Sequence, residues 1–253
     1  FAYWRGMRGR RFLERYFSEQ VYGRRANGND GGDLFSELCR ATSEDGDRFD
    51  DREIVDHMIF LMMAAHDTTT SSITTLVWSL AQHPEWQERL RDEARALGSP
   101  WLGYDQRDAP REATWAFQEA LRLYPPVPFI GRRTVRACRL GELDLPANSA
   151  VNVCSLVTHF LEDWWSEPQR FDPERFSPAR AEDRRHSHSY YPFGGGAHMC
   201  LGMHFAHLQV KAFLHQFLLR YRVVLSPGQR VEMVPIPIPK PKDGLPLRLE
   251  RVA

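Results

Sequence analysis

Residues 192–202 read PFGGGAHMCLG, and the stretch after them, LGMHFAHLQVKAFLHQFLLRY (201–221), carries apolar residues at helical spacing from Leu201 through Leu219. Consecutive glycines at 194–196 let a backbone turn sharply or lie close against another object, at a cost in chain entropy. Cys200 therefore stands at or just before a helix N-terminus. Unpaired N–H groups and the positive end of the helix dipole stabilise a thiolate there. The loop poses the question of what that thiolate binds.

Composition bounds the answer. At 253 residues, 42% hydrophobic and 12% aromatic, the chain can bury one good core or two small ones. Lys plus Arg and Asp plus Glu are each 33, so the formal charge is zero and no global field recruits nucleic acid or an anionic membrane. The cysteines at 39, 138, 154 and 200 show no close pairing, which points to reduced thiols in a cytoplasmic compartment. The chain begins at Phe1, and FAYWRGMRGRRFLERYF reads as a basic amphipathic helix rather than a signal sequence. The expectation is the later part of something longer, whose N-terminus could hold a membrane anchor.

Working outward, Arg8 to about Gly23 reads as a helix, RRANGNDGGD as a mobile polar loop and DLFSELCRA as a second helix. Asp50 or Asp51, with Glu53 in the first turn, caps a long helix of about 51–83 that ends where Pro84 starts another. Met58 to Ala65 is apolar on every side yet too short to span a bilayer, so this is expected to be a central core helix. PEWQERLRDEARALG reads as a surface helix closed by Gly98, and a helix of about 112–124 stops at Pro125 and Pro126. Alternating stretches between Phe129 and Val153 predict small hairpins, and YRVVLS with LPLRLERV flanks a proline-rich edge. The fold class is mainly α with small β-sheets.

Three constellations carry chemistry. Phe193, Gly196, His198, Cys200 and Gly202 suit a haem: the thiolate as axial ligand, glycines admitting the porphyrin, Phe193 shielding the sulfur, His198 bonding a propionate. A lone cysteine after a glycine turn is usually a packing residue, and it is the joint spacing that argues otherwise. Glu119 and Arg122 share a helical face, where an isolated pair is ordinarily a solvated contact of little worth. Asp67 with Thr68, Thr69 and Thr70 lies in the most apolar helix. An acid there is costly unless it works, and the threonines can back-bond and bend the helix.

Together these resemble the haem-thiolate monooxygenases of the cytochrome P450 family. FGGGAHMCLG has that family's phenylalanine, glycine, cysteine and glycine spacing, with histidine where arginine is commoner. EALR resembles its Glu-x-x-Arg helix, FDPERF its later arginine segment, and AAHDTT its oxygen-activating helix, with Ala65 in place of the usual glycine. The resemblance implies a cytochrome P450 fold with its N-terminal part missing, residues 1–253 being the C-terminal portion of one domain and 192–202 its haem-binding loop. It implies Cys200 as proximal ligand of haem b, Thr68 and Asp67 in oxygen activation, Glu119, Arg122 and Arg175 as a structural cluster, and Arg132 rather than Arg133 as a propionate ligand. It places substrate against Met62 to Ala65, Val127 to Ile130 and Pro235 to Pro237, all apolar. Electrons would come from NAD(P)H through a ferredoxin or flavoprotein partner, docking near Arg184, Arg185 and Lys211.

Competing readings are a peroxide-using or isomerising haem-thiolate relative, an inactive truncated relative, and a non-enzymatic metal module. The last is suggested by His186, His188, His198, Cys200, His204 and His207 clustering in sequence.

Overall fold

Local signals in the chain set where its helices start and stop. The structure, a computed structural model, describes residues 2–26 and 31–252, so the centre of the predicted mobile loop, 27–30, lies outside the described residues. Helices α1 (Ala2–Ala26), α2 (Leu34–Arg40), α3 (Asp51–Gln82), α4 (Pro84–Ala96), α5 (Arg111–Leu123), α6 (Ser155–Thr158) and α7 (Met203–Arg220) dominate. The chain divides into two compact units, Phe1–Asp67 and Thr68–Ala253.

In the first unit α1 is longer than the Arg8–Gly23 its pattern suggests. Asp33 Oδ1 caps α2 by accepting the Ser36 amide at 2.8 Å. The start of α3 is a reciprocal capping box: Asp50 Oδ1 accepts the Glu53 amide at 2.7 Å, and Glu53 Oε2 accepts the Asp50 amide at 2.8 Å. Phe17 and Val21 of α1, Phe35 of α2 and Ile54 and Val55 of α3 form the core, with Met58 and Ile59 at its margin.

Burial stops there, which corrects the expected core helix over Met58–Ala65. Phe60, Met62 and Met63 are 60%, 53% and 63% exposed. Their apolar character is not matched by burial within the first unit. The expected buried acid is corrected in the same way: the Asp67 side chain is 60% exposed and lies 2.8 Å from His66 Nδ1. Water solvates that carboxylate, so no desolvation cost falls on it.

The second unit takes the later turns of α3, where Ser71, Ser72, Thr75, Leu76, Ser79 and Leu80 are buried. Buried hydroxyls bond back to the preceding turn, Ser72 Oγ to Thr68 O at 2.8 Å and Ser79 Oγ to Thr75 O at 2.8 Å. Leu76 and Leu80 join Trp86 and Leu90 of α4, Ala116, Phe117 and Leu121 of α5, and Val210, Leu214 and Leu218 of α7 in one core. α4 is thus amphipathic, and two of its inward polar residues bond the backbone of neighbouring elements. Gln87 exchanges bonds with Val223 at 2.9 and 3.0 Å, and Arg91 Nε donates to Leu218 O at 2.8 Å. The α5 N-terminus is capped from α4, Glu93 accepting the Glu112 and Ala113 amides at 2.7 and 3.0 Å.

Strands β1 (Phe129–Arg133), β2 (Cys138–Leu140), β3 (Leu143–Leu145), β4 (Ala150–Cys154), β5 (Tyr221–Val224), β6 (Met233–Val234), β7 (Lys240–Pro241) and β8 (Arg248–Arg251) form two-stranded antiparallel pairs β1–β4, β2–β3, β5–β8 and β6–β7. The proline-rich run 235–239 lies between β6 and β7, where missing N–H donors interrupt no ladder. The four cysteines are free thiols. Among the described residues no helix is long and apolar enough to cross a membrane.

Candidate functional site

Glu119 and Arg122 lie one turn apart on α5 with both side chains fully buried, which sets this pair apart from a solvated surface contact. Arg122 donates from Nε to Glu119 Oε2 at 2.7 Å and from Nη2 to Oε1 at 2.8 Å. Arg175 reaches the same carboxylate from the short turn Pro173–Phe176, donating from Nε to Oε1 at 3.1 Å, and the Asp172 amide adds a fourth donor at 3.0 Å. Burial alone pushes the Glu119 carboxyl up, and these donors hold its charged form. Arg175 Nη1 also meets Glu182 Oε2 at 3.0 Å. Burial works against that carboxylate too, but bonds from Arg180, the Ser166 amide and Arg175 outweigh it and hold its pKa at about 2. Two carboxylates therefore balance two guanidiniums with no exposure, the arrangement in which a buried ion cluster is tolerable.

His159, which sequence reasoning passed over, ties this cluster to the glycine-rich loop. It follows α6 and is fully buried. Its Nδ1 lies 3.1 Å from Arg122 O, its Nε2 accepts the Tyr191 amide at 3.2 Å, and its own carbonyl accepts Arg122 Nη1 at 2.7 Å. A carbonyl only accepts and an amide only donates, so Nδ1 carries the proton and the ring is neutral. Burial is the main cause of a pKa lowered to about 4. A single histidine after a short helix offers no spacing signal from which this role is readable.

Beyond Tyr191 the loop bends on Gly194 and Gly196, whose φ of +72° and +66° only glycine adopts cheaply. A Cβ on Gly196 would meet open space, and one on Gly194 would come 3.9 Å from Ile130 Cδ1. The Cys200 amide donates to Phe193 O at 2.9 Å, folding the loop back on itself. Cys200 and His198 are exposed, the cysteine three residues ahead of α7. Gly202 caps α7, and a Cβ there would lie 3.9 Å from Cys200 Sγ. The Phe193 ring packs inward, 5.5 Å from the His207 ring, which lies 5.0 Å from Phe117 of α5. Burial, with the charges of Lys211 and His204, lowers the His207 pKa to about 4.

Strand β1 separates the two candidate arginines. Alternation puts Ile130 and Arg132 on one face and Phe129 and Arg133 on the other. Ile130 is the side chain nearest Gly194, so Arg132 shares the loop's face, while Arg133 Nη1 is engaged with Asn148 O and Oδ1 at 2.8 and 2.9 Å. An exposed thiol, glycines with free space beside them, a neighbouring arginine and uncovered Met199, Leu201 and Phe205 side chains suit a flat, apolar group that carries carboxylates and takes a sulfur ligand.

Two sequence expectations fail. Lys211 is not part of a docking surface: it is 8% exposed and its ammonium bonds Arg107 O. Nor do the histidines and Cys200 assemble a metal centre, since among the described residues no group of three or more His, Cys, Asp or Glu is placed to hold an ion. Close in sequence, they are spread over the segment before the loop, the loop itself and α7. Thr68 sits on α3, two turns before the buried Leu76.

The fold is that of the haem-thiolate proteins. The chain belongs to the cytochrome P450 family, whose family model matches residues 7–246. It is 44% identical over 251 residues to "Putative cytochrome P450 136" of Mycobacterium tuberculosis, covering 98% of this chain and 50% of that protein. It is 33% identical over 227 residues to taurochenodeoxycholic 6 alpha-hydroxylase of Sus scrofa, covering 87% of this chain and 44% of that one. The solved structure of retinoic acid-bound cyanobacterial CYP120A1 superposes with a TM-score of 0.90 at 30% identity, over 97% of this chain and 57% of that chain. The chain thus spans about half the length of the curated relatives it matches.

Proposed function

We propose that the chain is the C-terminal portion of a single haem-thiolate monooxygenase domain that inserts one oxygen atom of O2 into an apolar organic substrate. The observation that carries this reading is Cys200, an exposed thiol on a glycine-bent loop whose amide is held by Phe193 O. In this reading Cys200 Sγ ligates the iron of haem b. Gly196 and Gly202 admit the macrocycle, Phe193 walls the sulfur from water, and His198 and Arg132 bind its propionates. The haem, when bound, supplies the oxygen activation and C–H oxidation, with electrons from NAD(P)H through a ferredoxin or flavoprotein partner. Thr68 holds a proton at Oγ1, and Asp67, whose carboxylate faces water, renews it from solvent. That pair disfavours the peroxide-using and isomerising alternatives, which need no proton relay. Glu119, Arg122 and Arg175 do no chemistry and hold the fold beneath the loop.

The substrate class in this reading is lipid-like. Met62 and Met63 on α3, and separately Val127 and Ile236, present exposed apolar surface. The names of two relatives point the same way, one to a bile-acid hydroxylase and one to a retinoic acid complex, each a large hydrocarbon frame bearing one acid.

The test uses the protein extended by the preceding part of its own gene and loaded with haem. Its reduced carbon monoxide complex should show the red-shifted Soret band of thiolate ligation, and Cys200→His should lose that band while retaining haem. An unchanged spectrum in the variant removes Cys200 as ligand and with it the reading.

A further inference from the structure

We infer that His159 is a positioning residue that transmits the geometry of the buried ion cluster to the loop carrying Cys200. Its importance for the iron rests on the function proposed above, whereas the mechanical link does not.

The link is a continuous run of hydrogen bonds. It starts at Arg122 O, which accepts His159 Nδ1–H, and continues at His159 Nε2, which accepts the Tyr191 amide. Tyr191 O then accepts the Gly194 amide at 3.0 Å, and Phe193 O accepts the Cys200 amide at 2.9 Å. Both tyrosines beside the ring are anchored as well. Tyr190 stacks on His159 at 5.4 Å with its hydroxyl donating to Gln118 O at 3.0 Å, and the Tyr191 hydroxyl lies 2.9 Å from Thr158 Oγ1. The ring is thus wedged with both nitrogens occupied, one as donor and one as acceptor.

Only a neutral imidazole spans these two partners. Protonated, it would turn an Nε2–H against the Tyr191 N–H and add a second charge beside Arg122. An arginine cluster that is rigid because it is buried and fully bonded thereby sets where the glycine run begins. Three glycines could not hold a ligand loop still without such an external anchor.

The test measures amide hydrogen exchange in the protein extended by the preceding part of its own gene, before haem loading, comparing His159→Phe, His159→Asn and His159→Gln. Asn places a polar atom near the Nδ1 position and cannot reach Tyr191, whereas Gln places one near Nε2 and can. The expected result is exchange at Tyr191, Gly194 and Cys200 about tenfold faster in the Phe and Asn variants, restored in Gln, with Leu214 and Leu218 of the core unchanged. Loop amides unaltered in Phe, or Gln no better than Asn, would overturn the inference. So would joint acceleration of loop and core, or collapse of all three variants, which would mark a residue that merely holds the fold. Loss of the red-shifted Soret band in the haem-loaded, extended Asn variant but not in Gln carries the link through to the iron. A wild type that takes no haem counts against the proposed function and leaves the exchange result standing.

Discussion

Arg122 and His159 clasp each other crosswise: Arg122 Nη1 donates to His159 O at 2.7 Å, and His159 Nδ1 donates to Arg122 O at 3.1 Å. Each side chain satisfies the backbone of the other, so neither carbonyl is left unpaired in a dry environment where an orphan would cost about 1–3 kcal/mol. The clasp joins α5 to the segment after α6, and the measurable consequences of the site begin there.

Glu119→Ala leaves Arg122 buried without its carboxylate partner and Arg175 with Glu182 alone. The loss should be about 3–5 kcal/mol, read as a fall in the urea midpoint with the slope unchanged. Glu112→Ala removes a half-exposed partner of Arg89 and should cost under about 1 kcal/mol. Equal costs would show that burial does not set the value of the cluster.

Acid should destabilise the chain in two stages. His159 and His207 have folded pKa values lowered from 6.5 to about 4, so the unfolded chain binds the extra protons: stability is fully present above pH 6.5 and is lost as pH falls toward 4. For His159 the lost amount is on the order of 3 kcal/mol. Glu182, lowered from 4.5 to about 2, contributes stability above pH 4.5 that disappears on further acidification. Urea midpoints at pH 7, 5 and 4 check the first stage, and a flat profile there would contradict the neutral His159.

Arg132→Gln in the extended, haem-loaded protein should weaken haem retention about tenfold, because a charge-assisted bond to a propionate is lost. Arg133→Gln breaks the two bonds to Asn148 and should affect only local stability. Competition for haem by apomyoglobin reads both, and equal losses would refute the assignment by strand face.

Thr68→Ala should leave haem and substrate affinity nearly intact while releasing more reduced oxygen as peroxide per electron consumed. Thr69→Ala serves as the control and should stay close to wild type. Equal coupling in both variants would remove Thr68 from proton delivery.

Phe60 and Met63, 60% and 63% exposed, should make the isolated chain bind hydrophobic dyes and self-associate. Phe60→Glu with Met63→Gln should reduce dye binding and light scattering without lowering the urea midpoint, since neither side chain is packed. A lowered midpoint would mean that these residues are buried in solution.

Sequence made the helices legible because their signals are local. Asp50 or Asp51 with Glu53 before α3, Pro84 at the start of α4 and Pro125–Pro126 beyond α5 mark boundaries within a turn or two of where they fall. The hairpins were equally readable from alternation, and the joint spacing of Phe193, the glycines and Cys200 singles out one cysteine of four. Less legible was the solvation of α3: an apolar run states what a helix would bury if covered, and Met58–Ala65 is largely uncovered.

What sequence by itself determined was therefore the order and kind of the elements, the family they resemble and the residue types available for chemistry. These depend on backbone periodicity and on contacts a few residues apart. Tertiary structure alone decided which groups are dry and which are wet, placing Asp67 in water and Glu119 out of it. It also set Arg132, the arginine the family resemblance implied, on the loop's face of β1, a matter of strand register, since a one-residue shift turns it away. His159 belongs to the same class: its partners lie 37 and 32 residues away in the chain, and a hydrogen bond across that separation leaves no periodic trace for a sequence to display.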